Sequence, residues 1–178
     1  KEGEIFEALD NRKYKLKKDM CVISDKSGVL GLGGIIGGTS TSTELDTKNI
    51  LLEAAYFSPF SIRKTARDLN INTDAKYRFE RGIDPNSIKE GLELATELIL
   101  KICGGEASKF QITGKMKQKN KIINFQVEKF EKLIGISITA NEVDKILSSL
   151  GFKCKKNQST IKVEVPSWRP DVSLDEDL

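Results

Sequence analysis

The chain has 178 residues, 38% of them hydrophobic and 31% charged, and a net charge of +3. That describes a charge-rich globular chain long enough for one mid-sized domain or two small ones, with a charge that tolerates a nucleic-acid partner without demanding one. No apolar run approaches the roughly 18 residues of a membrane span, so no membrane partner is expected. The complete lack of histidine excludes Ser-His-Asp and Cys-His catalysis and any histidine-based zinc site.

Lys1 rather than Met opens the chain, directly in a strand-like pattern and without a basic-then-apolar leader, which suggests a piece of a longer parent. Cys21, Cys103 and Cys154 lie far apart and are odd in number, so reduced thiols are expected in a cytoplasmic protein. Phe6, Ala8 and Leu9, then Asp10-Asn11, then Tyr14 and Leu16 spell a hairpin. Cys21-Val22-Ile23 and Val29 to Leu32 read as two more buried strands around an Asp25–Gly28 turn, and Asn49 to Ala55 as a further apolar strand carrying one charge, Glu53.

Helices follow with clear punctuation. Ser58-Pro59 offers an N-cap and a first-turn proline ahead of Ile62, Ala66 and Leu69, and Asp84-Pro85 repeats the device ahead of Ile88, Leu92, Ala95, Ile99 and Ile102. Gly104-Gly105 closes that second helix. The polar, lysine-rich stretch Gly114 to Lys121 marks a domain boundary, giving domains 1–114 and 115–178. Beyond it, Val127, Phe130, Leu133 and Ile134 predict a helix ending near Gly135. Thr139 and Glu142 have capping-box spacing ahead of Val143, Ile146, Leu147 and Leu150, with Gly151 as terminator. Phe152 and Cys154, an Asn157-Gln158 turn, then Ile161, Val163 and Val165 predict a hairpin. The fold class is therefore α+β, a mixed sheet with packed helices followed by a small winged-helix-like domain.

Four features bear on function. Gly31, Gly33, Gly34, Gly37 and Gly38 match neither a dinucleotide fingerprint nor a phosphate loop; they are either a tight turn or a place where a ligand approaches backbone N–H groups. Glu53 in an apolar strand needs solvent, an arginine partner or a ligand hydroxyl to satisfy it. Arg63, Lys64, Arg67, Lys76, Arg78 and Arg81 form either a solvated face or a set of phosphate contacts with salt-sensitive RNA binding. Asp171, Asp175, Glu176 and Asp177 suit the first turn of a helix or, alternatively, an oxygen-ligand Mg²⁺ site.

Three stretches closely resemble signatures of the bacterial phenylalanyl-tRNA synthetase β chain: Asn49 to Phe57 (Asn-Ile-Leu-Leu-Glu-Ala-Ala-Tyr-Phe), Ile62 to Arg67 and Thr73 to Pro85. A fourth, Val165 to Asp171, resembles the end of that family's winged-helix-like domain, so the likeness runs along the whole chain in order. The resemblance implies part of an editing domain that hydrolyses tyrosine misattached to tRNA(Phe). Glu53 would accept the phenol hydrogen bond, with Gly33, Gly34, Thr73 and Ala75 lining the pocket. It also implies Asp171 and Asp177 as two Mg²⁺ ligands whose glutamate partners lie past Leu178. The implied partners are an α subunit in an (αβ)2 ligase and tRNA(Phe), with ATP used by the holoenzyme but not bound here. The family pocket includes a histidine from a Leu-His-Ala-Phe-like motif that this chain does not contain, so the resemblance implies an incomplete pocket. A scaffold region that binds tRNA without editing is the alternative.

Overall fold

The computed structural model describes residues 1–114, 120–157 and 160–178. They divide into two compact units, Lys1–Ile83 with Ser87–Ala107, and Ser108–Leu178 with Asp84–Asn86. The lysine-rich boundary lies largely outside the described residues, as does Gln158 of the expected turn. No helix among the described residues is long and apolar enough to cross a membrane.

The first unit begins with the predicted hairpin. β1 (Ile5–Glu7) pairs antiparallel with β2 (Lys13–Lys15), with Phe6 opposite Tyr14 and both buried. The turn works because Asn11 takes a left-handed φ of 62° and donates its N–H to Ala8 O at 2.9 Å. β3 (Val22–Ser24), β4 (Val29–Leu32) and β5 (Ile36–Gly37) form an antiparallel meander, in which the predicted β3–β4 pair is only partly buried and Cys21 is exposed. The Gly33–Gly34 segment closes the β4–β5 hairpin, whose second strand the sequence pattern does not reveal.

The expected strand at Asn49–Ala55 does not form. From Ser42 to Ser58 no residue is in a strand or helix, and Ile50 and Leu51 are exposed. An apolar run becomes a strand only if a neighbour satisfies its backbone, and this run has no strand partner among the described residues. Glu53 is thus carried on an irregular, non-sheet segment.

α1 (Pro59–Leu69) starts after Ser58 with proline in its first turn and ends at Asn70, whose φ of 52° is left-handed. It lays Ile62, Thr65 and Ala66 into a core with Phe6, Ala8, Tyr14, Leu16, Met20, Leu32, Ile35 and Ile71. A short α2 (Asp74–Phe79), unforeseen from the sequence, follows. α3 spans Ser87–Cys103 and so begins two residues after Pro85; its apolar stripe is only half-buried or exposed, with no residue fully buried.

In the second unit β6 (Ile122–Phe125), missed by the sequence reading, precedes α4 (Val127–Ile134), α5 (Ala140–Ser149) and the predicted hairpin of β7 (Lys153–Lys156) and β8 (Ile161–Glu164). The sheet order is β6-β8-β7, which makes β8 central, and Ile161 and Val163 are its most buried side chains. Every strand pair described in either unit is antiparallel, within the α+β class. Gly135 ends α4 at φ 78°.

Both halves of the capping box form, with Thr139 Oγ1 accepting from Glu142 N at 3.2 Å and the Glu142 carboxylate accepting from Thr139 N at 2.8 Å. Thr139→Ala is expected to destabilise this unit by about 1 kcal/mol in denaturant unfolding. A change below about 0.3 kcal/mol, within the range of uncapped surface sites, would show that the cap does not hold α5.

Candidate functional site

A cleft of about 760 Å³ opens in the first unit. Its floor is the β4–β5 hairpin from Leu30 to Gly37. Its walls are the Thr41–Thr43 segment with Thr47 and Asn49, the Ile50–Glu53 segment, and Ala75 at the start of α2. The volume lies within the roughly 300–1,000 Å³ of small-molecule sites. Four of the five residues singled out from the sequence, Gly33, Gly34, Glu53 and Ala75, line this one cleft although 42 positions separate the first from the last. Thr73 is not among the lining residues.

Thr73 has a different task. Its Oγ1 donates to Ile35 O at 2.7 Å and accepts from Lys76 N at 3.1 Å, so one hydroxyl caps α2 and ties it to the cleft floor. Ala75 is thereby held at the cleft wall. The resemblance implied Thr73 as a residue lining the pocket; the geometry shows its hydroxyl engaged with the backbone.

Glu53 forms no hydrogen bond or ion pair among the described residues, which removes the arginine-partner explanation of its charge and leaves solvent, to which the residue is exposed, or a ligand hydroxyl. Protein around the carboxyl strips some of its water, and this desolvation raises its pKa above the ordinary 4.5. A raised, unpaired carboxyl on a cleft wall can accept a hydrogen bond from a ligand donor. Gly33 N–H is already committed to Cys21 O at 3.0 Å, whereas the Gly34 N–H has no partner among the described residues. The glycine turn thus offers one backbone donor rather than two.

Most side chains of the basic stretch are engaged within the unit, although only two carboxylates, Asp19 and Glu80, answer their charge. Lys64 pairs with Asp19, Lys76 and Arg81 with Glu80 at 3.0 Å each, and Arg63 donates to Glu80 O at 3.0 Å. Arg81 also lies 3.7 Å over the Tyr77 ring. The side chains of Arg67 and Arg78 have no such partner among the described residues, which leaves two cations for an external anion.

At the other end of the chain, both Asp171 oxygens accept from the Arg169 guanidinium, which holds that carboxyl below its usual range. Asp177 Oδ2 accepts from the Leu174 and Ser173 N–H groups at 2.8 and 2.7 Å, and these bonds lower its pKa in turn. Asp175 and Glu176 both bind Lys129. The acidic end therefore caps a 3₁₀ turn at Asp175–Asp177, the first of its two readings. Among the described residues no group of three or more His, Cys, Asp or Glu side chains is arranged to hold a metal ion, so Asp171 and Asp177 do not by themselves fit Mg²⁺.

Two aromatic residues escaped the sequence reading. Phe57 and Phe79 stack edge to face beneath the glycine turn, 5.4 Å between centroids. Their signal was present as the last residue of one motif and a middle residue of another, but nothing in either motif shows that they meet.

An α+β unit with a hairpin-floored cleft, followed by a three-stranded winged-helix-like unit, defines a class that comparison with known proteins resolves. The model of the B3/4 domain matches residues 1–104, and that of the tRNA synthetase B5 domain matches residues 123–178. The phenylalanine–tRNA ligase β subunit of Mesorhizobium japonicum is 42% identical over 99% of the chain, that of Rhodopseudomonas palustris 43% over 97%, and that of the Wolbachia of Brugia malayi 39% over 99%. The chain belongs to the B3/4 domain family, and through both matched regions it is similar to phenylalanine–tRNA ligase β subunits. It spans about a fifth of the length of these curated relatives, covering 21% or 22% of each.

Proposed function

We propose that the cleft is the amino-acid pocket of an editing site that hydrolyses tyrosine wrongly esterified to tRNA(Phe), within a cytoplasmic phenylalanine–tRNA ligase whose β subunit includes this chain. In this reading residues 1–114 are editing domain and 115–178 the winged-helix-like domain. The observation that carries it is the unpaired Glu53 carboxyl, raised by desolvation, on the same cleft as Gly33, Gly34 and Ala75.

The physical argument begins with discrimination. A pocket that welcomes phenylalanine rejects tyrosine poorly, because the substrates differ by one hydroxyl on an apolar ring. A second site holding a carboxylate inverts the preference. Tyrosine satisfies Glu53 with its phenol, whereas phenylalanine leaves a partly desolvated charge without a partner. Ala75 contributes a small wall, and the Gly34 N–H a donor for the polar end of the substrate. In the reaction water adds to the ester carbonyl carbon, the bond from that carbon to the ribose oxygen breaks, a proton from the water passes to that ribose oxygen, and tyrosine leaves as the free acid. With no histidine in the chain, the work of these residues is to hold the ester and orient water rather than to attack it.

The other assignments depend on the whole ligase. tRNA(Phe) is the nucleic-acid partner, with Arg67 and Arg78 as candidate phosphate contacts, and the α subunit of an (αβ)2 assembly is the protein partner. ATP acts at the aminoacylation site, away from this chain. Asp171 and Asp177 contribute to a Mg²⁺ site only together with ligands from elsewhere in the subunit, and Asp171 must first leave Arg169.

The test is deacylation of Tyr-tRNA(Phe) and Phe-tRNA(Phe) by the complete ligase carrying Glu53→Ala. A collapsed tyrosine preference supports the reading. An unchanged preference, with tRNA binding retained and steeply salt-dependent, would leave this region as a tRNA-binding scaffold.

A further inference from the structure

We infer that Phe57 and Phe79 are positioning residues of the cleft, a wedge that sets the glycine turn, the Glu53 segment and α2 relative to one another. This rests on the editing reading for its catalytic consequence, but not for its geometry. The three segments lining the cleft come from distant parts of the sequence, and each meets this aromatic pair. Phe57 lies four residues after Glu53 on the irregular segment. Phe79 lies four residues after Ala75 on α2, one helical turn along the same face. Both are half-buried against the core of the first unit.

The glycine turn rests on the wedge closely enough to leave no space for a side chain. A Cβ on Gly33 would come 2.7 Å from Phe57 Cε1, and one on Gly34 would come 2.9 Å from Phe57 Cδ2 and 3.1 Å from Phe79 Cγ. The rings themselves are locked edge to face at 61°. A shift of the Phe57 ring therefore alters its packing on Phe79, which shares α2 with Ala75. This explains the glycines without a ligand: they are small because of what lies beneath them.

Gly33 is the informative position. Gly34 has a φ of 67°, so any side chain there is strained whatever the space, whereas Gly33 lies outside the left-handed region and the three atoms nearest an added Cβ all belong to the Phe57 ring. Gly33→Ala in the complete ligase is expected to slow Tyr-tRNA(Phe) deacylation on the order of 100-fold, chiefly in kcat, because ester and water are misplaced rather than released. Adding Phe57→Leu removes ring atoms from the clash and should recover about tenfold of that loss. A double variant no faster than Gly33→Ala, or a Gly33→Ala enzyme that edits normally, would overturn the proposal.

Hydrogen exchange supplies a readout independent of editing. Phe57→Leu is expected to speed exchange of the Gly33 and Ile35 amides, bonded to Cys21 O and Leu32 O, and of the Tyr77 amide in α2, bonded to Thr73 O. Faster exchange in the turn with α2 unchanged would show that the pair does not couple the segments. If the wild-type ligase fails to deacylate Tyr-tRNA(Phe), the editing reading falls, and exchange alone decides whether the wedge stands.

Discussion

Ligase carrying Glu53→Ala should lose most of its preference for Tyr-tRNA(Phe) over Phe-tRNA(Phe), by roughly 10- to 100-fold in kcat/KM. The figure follows from a hydrogen bond to a charged group, worth about 1.5–3 kcal/mol where each 1.4 kcal/mol is tenfold. The loss should fall chiefly on the tyrosine substrate, since only tyrosine brings the hydroxyl, while phenylalanine is hydrolysed as fast or somewhat faster once the unpartnered charge is gone. Glu53→Gln keeps an acceptor without the charge and should lie between alanine and wild type. The pH dependence has a definite sign. Desolvation raises the Glu53 pKa above 4.5, so tyrosine preference should decline on acidification at a higher pH than an ordinary carboxylate would give. For the fold the sign is opposite: the protonated carboxyl is the better tolerated form, and its stabilising contribution is lost as pH rises from the ordinary value through the raised one. A tyrosine preference that survives Glu53→Ala and stays flat with pH down to 4 would remove Glu53 from recognition.

Ile62→Ala should be the most destabilising single change in the first unit. Ile62 is 1% exposed and among the largest fully buried side chains. It also supports the cleft floor, since a Cβ on Gly34 would lie 2.8 Å from Ile62 Cδ1. Truncating a buried isoleucine costs about 2–5 kcal/mol, including the cavity left behind. A domain of this size has about 5–15 kcal/mol in total, so the loss is a large fraction of its stability. Denaturant unfolding should show a lower midpoint at an unchanged slope. A loss under 1 kcal/mol would mean that the neighbours collapse into the vacated space and that α1 does not brace the glycine turn.

Legibility from sequence varied with how local the cause was. The β1–β2 hairpin was readable because Asn11 can adopt the left-handed turn and Phe6 and Tyr14 alternate inward. α1, α4 and α5 were readable from proline, glycine and capping residues that act within one helical turn. β6 was missed because it has no punctuation of its own, and α2 because its N-cap, Thr73, was taken for a pocket-wall residue. β6 is a strand by virtue of β8 beside it, and α2 begins where Thr73 reaches across to Ile35. The run at Asn49–Ala55 failed in the opposite direction. Its pattern promised a strand, yet local pattern cannot supply the hydrogen-bonding neighbour that a strand requires.

The same distinction governs the candidate site. Residue types by themselves determined that this chain has no histidine chemistry, that Glu53 stood out as a lone carboxylate in an apolar run, and that family motifs run through it in order. They also placed most helices and turns, because caps, prolines and glycines act on their immediate neighbours. Only the tertiary structure decided that Gly33, Gly34, Glu53 and Ala75 share a cleft, that Thr73 serves the backbone, and that Phe57 and Phe79 wedge the floor in place. Those facts depend on contacts between segments far apart along the chain, where packing and hydrogen-bond satisfaction decide which side chains meet.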